Sequence, residues 1–153
     1  MITYRFTGAA PRTLPPALLK RVARAMHGVR GIPRASAVIG VRAVTPRQMQ
    51  TLNRTFRGKD RPTDVLSFSE KDGATFPLST PRGEERELGD LVLCPSYATK
   101  EARRRAIAPQ EEMVRLLVHG TLHLAGMDHR TEAEEMKMFG IQERVVSSVL
   151  PAM

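Results

Sequence analysis

Aromatic residues are scarce in this chain. Tryptophan is absent, and two tyrosines and five phenylalanines are all it has. None is interleaved with the basic residues, which excludes a base-stacking platform of the RRM kind. Cysteine is nearly missing too. A single thiol, Cys94, excludes an internal disulfide and fits a reducing cytosol. It ends the apolar run Leu91-Val92-Leu93-Cys94 and so reads as a buried, inert side chain rather than a nucleophile or ligand. No apolar run approaches the roughly 20 residues that a membrane helix needs. The first seven residues, Met1 to Thr7, alternate like a strand and carry neither the apolar block nor the cleavage site of a signal peptide. The expectation is a cytoplasmic protein with no membrane partner. Repeats, low-complexity tracts and linkers are also lacking, so residues 1–153 are expected to form one domain around one core.

Acidic residues are under-represented: 16 against 24 basic ones, a formal charge of +8. An excess of this size favours a polyanionic partner and fast, salt-sensitive association with it. The 41% apolar and 26% charged content is that of an ordinary globular protein.

Turn and cap signals divide the chain clearly. Ile2, Tyr4 and Phe6 alternate as a half-buried strand. Pro15 and Pro16 then open a helix with Leu18, Leu19, Val22 and Met26 on one face, ending at Gly28 with His27 as a structural or solvated terminal residue. Ala35 to Val44 is a second strand. Thr45-Pro46 caps a helix that points Met49, Leu52 and Phe56 inward and stops near Gly58. Val65 to Phe68 and Leu88 to Cys94 read as strands, separated by a long surface loop or irregular hairpin from Glu70 to Glu87. Ser96 is placed to cap a helix from Tyr97 to Ala106. Its Lys100, Arg103, Arg104 and Arg105 form a basic face, either solvated or phosphate-contacting. Pro109 starts a largely apolar helix with Glu111 and Glu112 in its first turn, where they complement the helix dipole. Thr131-x-x-Glu134 is a capping box for a last helix to about Leu150, with Met136, Phe139, Val145, Val146 and Val149 as core candidates. The fold class predicted is α+β, a mixed sheet of about four strands packed with about five helices.

Histidine is rarer still, yet three of the four fall within His119-Gly-Thr-Leu-His123-Leu-Ala-Gly126-Met-Asp128-His129. On a helix, His119 and His123 lie about 40° apart around the axis and about 6 Å apart along it, so both rings leave one face. Gly126 is the residue that most readily takes the left-handed conformation closing a helix, and it lets the chain bring His129 back to the same point. Three imidazoles of this kind make a transition-metal site, with one zinc ion as the expected cofactor and a fourth coordination position left for water or substrate. The spacing H-x-x-x-H-x-x-G-x-x-H is that of the metzincin proteases, except that Gly120 stands where they carry the glutamate base.

The residues also carry a closer resemblance. His119 to His129 is similar to the H-G-x-L-H-L-x-G-[YH]-D-H signature of the YbeY family of bacterial endoribonucleases, with Met127 the one departure. Asn53-Arg-Thr-Phe-Arg57-Gly-Lys-Asp-Arg-Pro-Thr-Asp-Val-Leu-Ser-Phe68 and Leu88-Gly-Asp-Leu-Val-Leu-Cys-Pro95 agree in order and separation, so the resemblance covers most of the chain from about residue 45. It implies a metal-dependent, single-strand-specific endoribonuclease acting on ribosomal RNA. The implied roles are maturation of the small-subunit RNA 3′ end and ribosome quality control, with the ribosome or its small subunit as partner. It further implies that His119, His123 and His129 bind zinc and that Arg57 lies in the substrate cleft as a catalytic residue. A guanidinium there presents a fork of donors to phosphoryl oxygens. With Gly120 in the base position the proton acceptor is unassigned: Asp128 serves either as base or, by preference, as a group that orients a ligand or the turn. The competing readings are a metzincin-like peptidase and a ribosome assembly factor whose zinc is mainly structural.

Overall fold

A computed structural model describes residues 1–70 and 86–150. The chain runs β1 (Ile2–Phe6), α1 (Pro16–Met26), β2 (Ala37–Ala43), α2 (Pro46–Arg57), β3 (Val65–Ser69), β4 (Arg86–Leu93), α3 (Pro95–Arg105), α4 (Pro109–Leu124) and α5 (Glu132–Val149). The strands form one mixed sheet in the order β1-β2-β4-β3. β1 and β4 flank β2 in parallel, and β3 closes the edge antiparallel to β4. The α+β class and, among the described residues, the four strands and five helices agree with the sequence reading. The predicted loop between Glu70 and Glu87 lies for the most part outside the described residues.

Strand alternation assigns each face of the sheet its cover. Leu91 and Leu93 of β4, with Ile39 and Val41 of β2, point into the larger core under α1, α4 and α5. Val92 and Cys94 face the other way, joining Leu66 and Phe68 of β3 against Met49, Leu52 and Phe56 of α2. Cys94 is fully buried, as its apolar run predicted. Thr45 caps α2 as expected, in a full box: its hydroxyl accepts from the Gln48 N–H, and the Gln48 amide accepts from the Thr45 N–H. α4 is buried on most of its circumference, packing against β3, β4, α3 and α5. One cross-link to it is polar: the buried Tyr4 hydroxyl of β1 lies 2.8 Å from Thr121 Oγ1, and burial pushes the phenol above its ordinary pKa.

Two expectations need correction. α3 begins at Pro95 with Cys94 as its N-cap, not after Ser96, because proline at the first helical position fixes the helical φ two residues earlier. Met136 and Phe139 are not core residues; they are 69% and 58% exposed. The buried stripe of α5 is Met138, Gln142, Val145, Val146 and Val149, one face at helical spacing.

Candidate metal centre

His119 and His123 occupy the last turns of α4, and the helix closes in a Schellman arrangement just beyond them. The Met127 N–H reaches the Leu122 carbonyl and the Gly126 N–H the His123 carbonyl, both at 3.0 Å, with Gly126 at φ +96°. The reversed chain delivers His129, whose N–H is held by Asp128 Oδ1 at 2.8 Å. Asp128 Oδ2 meets Arg130 Nε at 2.7 Å. Both carboxylate oxygens thus make contacts within the turn.

One ligand atom from each of the three histidines lies within 4.8 Å of the others, and the Nε2 atoms of His119 and His123 are 3.1 Å apart. Two nitrogens bound to one tetrahedral zinc at about 2.0–2.1 Å each would sit about 3.3 Å apart, so the donor set fits that ion. Its tautomers fit too. His119 Nδ1 is 2.8 Å from Gln142 Oε1, an acceptor only, so the ring proton resides on Nδ1 and the Nε2 lone pair faces the centre. Burial first, then repulsion by His119 and His129, holds His123 below its ordinary pKa, in the neutral form that ligates metals.

The Gln142 amide is anchored in turn. Its Nε2 donates to Glu143 Oε2 at 3.1 Å, and Glu143 forms a two-point ion pair with Arg115 at 2.8 and 2.9 Å. Arg115 also reaches Glu111 and the buried Glu112, at 3.1 and 3.3 Å. This chain of contacts across α4 and α5, leading to the His119 ring, has no motif in the sequence that could have revealed it.

Two glycines set the backbone positions. A Cβ on Gly120 would lie 2.7 Å from Leu91 Cδ2, so the absence of a side chain there lets α4 settle on β4. Gly31, at φ +90°, touches the end of α4: a Cβ there would come 2.1 Å from the Ala125 carbonyl oxygen. Gly31→Ala is therefore expected to lose about 2 kcal/mol of stability or more, from the left-handed backbone and the backbone collision together, read as a lowered urea midpoint. An unchanged midpoint would show that the loop moves away freely.

A cleft of about 400 Å³ opens from the triad along the edge strand β3. His119, Gly120, His123 and His129 line it together with Asn53, Arg57, Lys59, Arg61 and Thr63 and with Val65 to Ser67. Arg57 thus lines the same cleft as the three histidines. Its guanidinium donates to the Ser67 carbonyl and lies 5.0 Å from the Phe68 ring centre, which fixes the side chain across the cleft wall. Lys59 and Arg61 are additional cations that no pattern singled out. The loop carrying them is clamped by the buried Asn53, whose Nδ2 donates to the Arg61 carbonyl at 2.8 Å. None of Lys100, Arg103, Arg104 and Arg105 lines this cleft. Arg104 pairs with Glu101, and Arg105 with Glu112.

Comparison with known proteins agrees with this geometry. A family model described as Endoribonuclease YbeY matches residues 15–150. An endoribonuclease YbeY of Persephonella marina is 41% identical over 66% of this chain and 63% of its own, so the match spans less than two thirds of that relative. The Staphylococcus aureus endoribonuclease YbeY is 38% identical over 73% of this chain and 72% of its own. The solution structure of TM1509 from Thermotoga maritima superposes with a TM-score of 0.60 at 29% identity, covering 96% of this chain and 89% of that one. The match of 15–150, spanning the histidine turn and the basic cleft together, means that this chain belongs to the YbeY endoribonuclease family.

Proposed function

We propose that this protein is a zinc-dependent, single-strand-specific endoribonuclease, with one zinc held by His119, His123 and His129. Its proposed substrate is ribosomal RNA, in maturation of the small-subunit 3′ end and in ribosome quality control. It would act in the cytoplasm, in contact with the ribosome or its small subunit. The observation that carries the reading is the shared cavity: the three histidines and Arg57, Lys59 and Arg61 line one cleft. That pairing suits a phosphodiester, because negative charge accumulates on the phosphoryl group as the bond breaks. Zinc bound there would act as a Lewis acid on a phosphoryl oxygen. The chain's own contribution is to bind and orient. Lys59 and Arg61 draw the backbone in, and Arg57, fixed by Ser67 and Phe68, presents its remaining N–H groups to a non-bridging oxygen.

A peptidase is less well supported, since position 120 carries no general base and a side chain there would run into Leu91. The test is to incubate the zinc-loaded protein with single-stranded RNA, duplex RNA and casein, beside Arg57→Ala. Single-stranded RNA should be cleaved. Arg57→Ala should keep its zinc and lose about a hundredfold in rate, the usual effect of removing a donor to developing negative charge. Cleavage of casein but not RNA would overturn the assignment; full RNase activity in Arg57→Ala would overturn the role given to that residue.

A further inference from the structure

On the α5 side of the triad lies a second cavity, of about 320 Å³, lined by His119, His129, Glu135, Met138, Phe139 and Gln142. It shares His119 and His129 with the basic cleft, so the two hollows meet at the histidines. Glu135, Met138, Phe139 and Gln142 are spaced i, i+3, i+4, i+7 and form one face of α5, which the Gln142–His119 hydrogen bond ties to the centre. Met138 is buried and makes the floor; Phe139 stands 58% exposed.

The two hollows differ in chemistry. The cleft beside Arg57 is cationic and suits phosphate. Among the described residues the α5 cavity brings no Lys or Arg to its walls, and it has a carboxylate at its rim, which repels phosphate. An open aromatic face beside a hydrogen-bond acceptor suits a nucleobase, whose π-face stacks and whose N–H edge donates. We propose that this cavity is a nucleobase subsite, where a base next to the scissile phosphate stacks on Phe139 while Glu135 accepts a hydrogen bond from its N–H edge. The inference rests on the endoribonuclease reading above and deepens it. A base in a duplex is already stacked and paired, so a site that needs a free base face selects unpaired strands.

The absence of tryptophan makes a direct test available, because Phe139→Trp installs a lone tryptophan, excited selectively beyond the tyrosine absorption, in the full-length, zinc-loaded protein. On rapid mixing, before cleavage proceeds, single-stranded oligoribonucleotide should quench its emission. Duplex RNA and an abasic sugar–phosphate chain should not. Phe139→Ala should raise KM for single-stranded RNA roughly tenfold, with zinc content unchanged and kcat within about twofold, and Phe139→Trp should restore KM. If the wild type cleaves RNA but Phe139→Ala leaves KM unaltered, or the abasic chain quenches as well as RNA, the subsite is overturned and the nuclease reading stands. If the wild type neither binds nor cleaves RNA, both fall. If tryptophan emission shifts with protein concentration alone, a second copy of the chain covers this face and the subsite is overturned.

Discussion

Alanine in place of His123 is expected to take bound zinc from about one ion per chain to nearly none and to reduce RNA cleavage to background. Two imidazoles remain in that variant, and two ligands do not close a zinc site at protein-free metal levels. The fold should survive, because His123 is only partly buried and its backbone bonds within the Schellman turn are retained. Metal content by mass spectrometry and cleavage of single-stranded RNA give the primary readouts. A chelator supplies the third: stripping zinc should lower the melting temperature of the wild type, since the ion binds the folded state and stabilises it by mass action, and should leave His123→Ala unmoved. A variant that loses zinc but cleaves RNA at the wild-type rate would sink the metal-dependent reading. It would also trace the cleavage to something other than this centre.

The triad was legible because its geometry is local. Two histidines one helical turn apart and a third beyond a glycine are positioned by helix pitch and a single left-handed residue, and both are visible in eleven consecutive residues. Arg57 is a different case. Nothing in its own neighbourhood places it near the histidines, and it entered through the family resemblance. What brings it there is the sheet order, with β3 at the edge between the ends of α2 and α4, and that order is fixed by long-range pairing that no local pattern encodes. Gln142, Glu143 and Arg115 were silent for the same reason, since Arg115 and Glu143 are 28 residues apart and on different helices.

Helix α5 shows where apolar identity misleads. Met136 and Phe139 are apolar, but at about 100° per residue Met136 lies about 200° from Met138, off the stripe that Val145, Val146 and Val149 define. Gln142, a polar residue within that stripe, obscured it in the sequence. Its burial at 6% exposure is explained only by the two hydrogen bonds it makes, to His119 and Glu143. The exposed phenylalanine and the buried glutamine, both unexpected, sit beside the same histidine. Departures from sequence pattern thus gather where the proposed chemistry is.

Arg115→Ala is expected to cost about 3 kcal/mol of folding stability, because removing one partner of a buried ion network leaves the others desolvated and uncompensated. Glu112 is only 3% exposed and would retain just its 3.3 Å contact to Arg105, a side chain more open to solvent than Arg115. Glu143 would lose both of its bonds to the guanidinium. Urea unfolding at pH 7 measures the loss, and a value under about 1 kcal/mol would show that the network is as weak as an ordinary surface pair. The pH dependence gives an independent check. The Arg115 hydrogen bond holds the Glu143 carboxyl below its ordinary pKa. A group depressed in the folded state stabilises fully above its unfolded pKa, about 4.3 for glutamate, and that stabilisation disappears as pH falls through the lower folded value. The gap between wild type and Arg115→Ala should therefore be widest near neutrality and narrow below about pH 4. A double-mutant cycle with Glu143→Ala isolates the pair: the second substitution should do much less damage once the first is present. Zinc affinity should weaken in Arg115→Ala as well, by up to about tenfold, because Glu143 then no longer braces the Gln142 amide that aims the His119 ring. Unchanged zinc affinity in a measurably destabilised Arg115→Ala would show that Gln142 holds the ring without help from the ion pair, and would confine Arg115 to joining α4 and α5.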